Sequence, residues 1–223
     1  MRNWRSIIAL VAMFIGMPAV SRAWDLFYDG SVMPNDPALG TDSWIIHGDV
    51  SNCSTDGDKL HVTDLWTNAY SVFSRFASPG NSPVTLEARV RVAAGDGTAL
   101  IAGTPTFYTI VWLYSDRIDV KFVPTAPTTY EADLSQFRTV RIATDSSGQS
   151  FVWLDGVLLA KGSTSMGNQG DVLFGSNSRS GVNESYWDYV AYSNAFLPIP
   201  EPSSLLALVC GLGAMGFVIR KRK

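Results

Sequence analysis

An all-β domain built from antiparallel sheets is the fold this sequence predicts, and three observations predict it. Val84–Val92 alternates apolar and polar residues without a break, the period of a strand with one buried face. Asp155-Gly156 lies between two apolar runs and is the pair that a type I′ hairpin turn favours. Between Trp24 and Ile199 no stretch shows convincing helical periodicity, a repeat or low complexity. Many short strands punctuated by Gly, Asp and Ser turns imply a β-sandwich or jelly roll.

The elements follow in order. His61 alternates with Leu60 and Val62 and reads as a strand surface residue. Val84, Leu86, Ala88, Val90 and Val92 form a buried face, with Glu87 on the outward one. Phe107–Leu113 is rich in aromatic and β-branched residues, and after Ser115-Asp116 the chain resumes as the alternating run Arg117–Val123, a second hairpin. Pro124, Pro127, Thr128 and Thr129 precede Glu131–Gln136 and suggest that this segment is a loop. Phe137–Ala143 is a strand, Phe151–Leu154 and Val157–Ala160 flank the Asp-Gly turn, and Tyr186–Tyr192 closes the domain. Trp112 and Trp153 fall inside strand patterns and are expected in the core.

The two ends carry addresses. Arg2 and Arg5 precede an apolar run, Ile7–Met17, and Ser21-Arg22-Ala23 places small residues where a signal peptidase reads. Residues 1–23 are therefore a signal peptide cut after Ala23. At the other end, Leu205–Ile219 is fifteen residues without a charge, followed by Arg220, Lys221, Arg222 and Lys223. A helix of that length covers roughly 22 Å, short of a ~30 Å hydrocarbon core. With residue 204 added and Arg220 snorkelling, 204–219 is expected to span a membrane, the basic stop on the cytoplasmic side.

Residues 24–196 are then one domain with ten bases and nineteen acids, a net charge near −9. That balance argues against nucleic acid and anionic membrane surfaces as partners and permits cation binding. Sixteen of the acids are Asp, most beside Gly, Ser or Asn, which marks turns. Cys53 is the domain's single cysteine, so stability comes from the core rather than a disulfide.

Two resemblances refine this. Pro200-Glu201-Pro202, an apolar helix and a basic cluster resemble the PEP-CTERM sorting signal of Gram-negative bacteria, here residues 197–223. The resemblance implies processing by an exosortase-type membrane protease, transient inner-membrane anchoring, and delivery to the cell surface or extracellular matrix. Phe137–Ile142, then Phe151-Val-Trp-Leu-Asp-Gly-Val-Leu-Leu159, and the final Trp187-Asp188-Tyr189-Val190 resemble concanavalin A-like and laminin-G-like domains. That implies a jelly-roll sandwich of two antiparallel sheets.

Candidate chemistry is sparse. Glucanases of that fold carry Glu-x-Asp-x-x-Glu on one strand; the near match is Glu131-Ala-Asp133-Leu-Ser-Gln136, where Gln136 cannot exchange a proton. His47 and His61 lack a nucleophile-elbow context and are too few for zinc. The resemblance implies a structural calcium at Asp188, with oxygens from around Asp29-Gly30. Trp66, among polar neighbours in Asp64–Tyr70, is the candidate stacking platform for sugar, with Tyr70 beside it. The expected function is non-catalytic binding of a glycan or polymer, with a purely structural matrix protein and a glycoside hydrolase or lyase as alternatives.

Overall fold

The structure, a computed structural model, describes residues 24–51, 53–65, 71–76, 83–95, 97–167, 171–176 and 182–199. The strands run in chain order as β1 (Leu26–Tyr28), β2 (Ile45–Gly48), β3 (Ser54–Asp56), β4 (Lys59–Leu65), β5 (Ser71–Phe76), β6 (Val84–Ala94), β7 (Thr98–Gly103) and β8 (Tyr108–Leu113). They continue as β9 (Arg117–Phe122), β10 (Thr128–Glu131), β11 (Arg138–Thr144), β12 (Gln149–Leu154), β13 (Val157–Ser163), β14 (Asp171–Ser176) and β15 (Val182–Ser193). The first sheet has the order β13-β12-β11-β6-β15-β4-β3, and the second the order β10-β9-β8-β7-β14-β5-β2. All described pairings are antiparallel, as the alternating patterns require. β15 is long enough to pair β4 over its first half and β1 over its second, so the domain's first and last strands lie together.

The predicted buried face of β6 is fully shielded between the sheets, from Val84 to Val92. The same core holds an aromatic cluster centred on Phe174, whose ring lies 4.8 Å from Trp44, 5.0 Å from Trp187, 5.3 Å from Phe73 and 6.0 Å from Tyr28. Trp187 satisfies its indole N–H on Ser185 Oγ at 3.0 Å, which permits full burial. The Asp155-Gly156 turn has positive φ at both residues, 47° and 82°, as a type I′ turn demands.

Several expectations are corrected or refined. Residues 128–131 are a short edge strand pairing β9, with Glu131 its last residue opposite Arg117, and the expected loop begins only after it, at residues 132–136. Trp112 alternates with the buried Thr109, Val111 and Leu113, so it faces outward. Trp153 is buried, but on the outer side of the first sheet, stacked on Phe151 at 5.6 Å. Glu87 points outward yet is covered, because Arg141 clamps it at 2.5–2.6 Å and the Tyr189 hydroxyl donates to it at 2.9 Å. Burial, then the neighbouring Glu87 charge, pushes the Tyr189 phenol up to about 12.

With both side chains at least 84% covered, Arg141 and Glu87 form a buried pair. Arg141→Ala is expected to cost about 3–5 kcal/mol, because it leaves the Glu87 carboxylate without its counter-charge. The double replacement Arg141→Met with Glu87→Leu is expected to cost less than the single one. Chemical denaturation of the three proteins checks this.

Candidate functional site

One row across the outer face of the second sheet runs from an indole to an imidazole. Register places Trp112 opposite Ala99, Ala99 opposite Gly175, Gly175 opposite Val72, and Val72 opposite His47. On the other side Trp112 is opposite Asp119. Four inter-strand steps separate Trp112 from His47, roughly 19 Å. Ala99 and Val72 are short and buried, and Gly175 has no side chain. A Cβ on Gly175 would lie 2.3 Å from the Ser71 carbonyl oxygen, and φ is 125°, so a larger residue is excluded. The row is therefore a floor of small residues walled by a half-buried indole at one end and an exposed imidazole at the other.

Polar groups sit at both ends of the floor. His47 Nε2 lies 2.6 Å from Ser74 Oγ. Asp119 Oδ1 is shielded and without a hydrogen bond; the nearest cation is Arg117, its Nε 4.0 Å away. Burial raises the Asp171 carboxyl above its ordinary range, with the nearby His47 opposing. Because the folded state holds the Asp171 proton more tightly than the unfolded chain, its stabilising effect is present at low pH. It declines as pH rises through the carboxylate range. Asp171→Asn is accordingly expected to raise the melting temperature at neutral pH and to leave it unchanged in acid, measured by thermal melts across pH.

The near match to a catalytic motif lies elsewhere. Glu131 and Asp133 line an open cleft of about 790 Å³ with Asp116 and Arg117, at one end of the second sheet. Asp133 accepts the N–H and O–H of Ser135 at 2.9 and 2.6 Å, which lowers its carboxyl and keeps it ionised. Gln136 is exposed. His61 lies on the first sheet's outer face, stacked on Tyr186 with ring centroids 4.4 Å apart, 3.1 Å from Glu184 and 3.0 Å from Thr63. Cys53 is half-buried, and burial pushes its thiol up, away from reactive thiolate.

Asp29-Gly30 and Asp188 are brought together. A Cβ on Gly30 would come within 2.8–3.1 Å of the carbonyl oxygens of Asp58, Trp187 and Asp188. The carboxylates, however, are engaged: Asp29 accepts from Ser31, and Asp188 pairs with Arg89. Among the described residues no group of three His, Cys, Asp or Glu side chains forms a metal-ligand cluster. The residues as arranged do not fit a calcium ion, since Arg89 supplies the positive charge that the ion would bring. Thermal melting is expected to be the same in calcium and in chelator.

Trp66, Tyr70, Ala23, Pro200, Glu201, Pro202 and the basic stop lie outside the described residues, as does the 204–219 segment. Among the described residues no helix is long and apolar enough to cross a membrane. The segment carrying Trp66 and Tyr70 joins β4 of the first sheet to β5 of the second. The sequence points Trp112 to the core and leaves Asp119 unmarked, because Tyr108–Leu113 is apolar on both faces and shows no period. One signal was available: β9 alternates cleanly, and pairing it with β8 through Ser115-Asp116 sets Trp112 opposite the outward Asp119.

Comparison with known proteins separates address from fold. Residues 198–223 match the PEP-CTERM protein-sorting motif, which directs export through a membrane-associated sorting step. No curated protein sequence matches the chain. Among solved structures, the botulinum neurotoxin serotype D binding domain is similar at 8% identity and TM-score 0.54, over 78% of this chain and 49% of that one. The carbohydrate esterase of Shiga toxin-encoding bacteriophage phi24B is similar at 12% identity and TM-score 0.52, over 76% and 97%. The cellulose induced protein Cip1 is similar at 14% identity and TM-score 0.51, over 70% and 88%. This chain spans less than half the length of the neurotoxin binding domains it matches. At these identities the likeness establishes the fold alone, and the architecture is the two-sheet jelly-roll sandwich that the sequence predicts.

Proposed function

We propose that the mature domain is a non-catalytic glycan-binding module, delivered to the cell surface or extracellular matrix after exosortase-type processing. The observation that carries this reading is the row Asp119–Trp112–Ala99–Gly175–Val72–His47 on the second sheet. It offers a half-buried indole for stacking on a sugar ring, with small side chains beside it and polar groups at either end of the row. The sorting motif, which directs export through a membrane-associated step, supports a role among extracellular polymers. A neighbour that is a carbohydrate esterase favours the same ligand class without assigning the reaction.

Native gels containing single polysaccharides test the reading. Retardation by one polysaccharide class, without release of reducing ends, is the expected result. Release of reducing ends would make the protein a hydrolase, and free migration across a broad panel would make it a structural matrix protein. Delivery is checked separately by the intact mass of protein recovered from the host's surface and medium. The expected product lacks residues 1–23 and the apolar tail.

A further inference from the structure

The outer face of the first sheet carries the tether of the sorting tail, and we infer that the anchored precursor lays this face against an anionic membrane surface. The inference rests on reading residues 205–219 as a membrane anchor. It does not depend on whether the second sheet binds a glycan.

The tether is the first observation. The chain does not leave the domain where β15 ends. The Asn194 N–H donates to the Asp25 carboxylate, and Thr85 Oγ1 donates to the Ala195 carbonyl at 2.7 Å. The same hydroxyl accepts from the Leu197 N–H at 2.9 Å, and Arg141 donates to the Leu197 carbonyl at 3.2 Å. Phe196 packs on Phe151 with ring centroids 5.6 Å apart. Thr85, Arg141 and Phe151 all project from the outer side of the first sheet. From Leu197 to Leu205 is eight residues, at most about 29 Å even when fully extended. The chain to the anchor therefore leaves from this face rather than from the second sheet's.

Charge is the second. The net −9 of the domain opposes an anionic surface only if it is spread evenly, and it is not. The outer positions of the first sheet carry Lys59, Arg89, Arg91, Arg141 and Lys161, five of the ten bases. They carry Asp56, Glu87, Glu184 and Asp188 of the nineteen acids, with Asp58 of the β3–β4 turn paired to Lys59. The face is then near neutral, whereas the rest of the domain holds five bases and fourteen acids, a net of −9. Among the described residues neither Arg91 nor Lys161 has an ion-pair partner within 4 Å. With a Debye length of about 8 Å, an anionic surface attracts these two cations more than it repels the acids of the far face.

The third observation is that these cations lie over aromatic rings. Arg91 sits 4.2 Å from the Tyr186 ring centre, and Lys161 4.9 Å from that of Phe151. Lys59, Arg89 and Arg91 all lie within 5.9 Å of Phe137. Phe27 stacks on Tyr189 at 5.4 Å and is 57% exposed. Rings with a cation beside them suit the headgroup layer, where aromatic side chains and Lys or Arg collect.

The test uses the full chain reconstituted into vesicles of phosphatidylglycerol with phosphatidylcholine, or of phosphatidylcholine alone, with hydroxyl-radical labelling of side chains. In the anionic vesicles, labelling of Phe27 and Phe151 is expected to fall, while that of Ile45, 49% exposed on the second sheet's outer face, stays constant. The protection is expected to vanish in phosphatidylcholine alone and in high salt. Lys161→Gln, at an exposed site, is expected to lower the docked fraction about fivefold; Arg91→Gln, with its circular dichroism checked, provides a second variant. A chain that inserts but shows equal labelling of both faces, or protection indifferent to lipid charge, overturns the inference alone. A chain that does not partition into the vesicles overturns the anchor reading and this inference with it.

Discussion

Trp112→Ala is expected to abolish retardation by the polysaccharide that retards the wild-type protein, with only a small change in melting temperature. The two effects separate because Trp112 stands outside the core. Its inward neighbours Thr109, Val111 and Leu113 fill the space between the sheets, and the backbone pairing of β8 with β7 and β9 does not use the indole. Truncating an aromatic anchor of this kind typically removes about 2 kcal/mol or more of binding free energy, roughly thirtyfold in affinity. Trp112→Phe retains a flat ring and is expected to bind with intermediate strength. Affinity electrophoresis of the three proteins, with melting curves alongside, provides the measurement. Undiminished binding by the alanine variant would remove Trp112 from the site.

Phe174→Ala is expected to have the reverse signature, a large loss of stability. Phe174 meets Trp44, Phe73, Trp187 and Tyr28, which come from the segment before β2, from β5, from β15 and from β1. All five rings are buried, so truncation opens a cavity that backbone paired on both sides cannot collapse into. Losses for such replacements are about 3–5 kcal/mol. For a domain of this length that is on the order of 10 °C in melting temperature. Phe174→Leu fills most of the volume and is expected to recover part of the loss. Melting curves of both variants check the effect.

The regularity of strands with one polar face made much of the fold legible. β6 and β9 alternate, and the Asp-Gly turn specifies its own hairpin. β7, Thr98–Gly103, was invisible because every residue in it is buried, so its sequence has no period to detect. β10 was obscured by the prolines before it, which edge strands tolerate better than central ones. The site was less legible than the fold, because it is made by register. Nothing local to Trp112 shows that Ala99 and Gly175 lie beside it; strands far apart in sequence supply the floor. In the same way Asp188 reads as a metal ligand until Arg89 is seen to reach it from β6. The sorting motif was legible in full, since its information lies in consecutive residues.

The central claim is that the outer face of the second sheet is where polymer binds. Hydroxyl-radical labelling of the full chain, with and without the polysaccharide that retards it, tests this most directly. Trp112, Tyr108 and Ile45 are expected to lose labelling in the bound state while Phe27 and Val157 keep theirs. Protection of the Glu131–Asp133 cleft or of the first sheet, with Trp112 labelled as before, would contradict it.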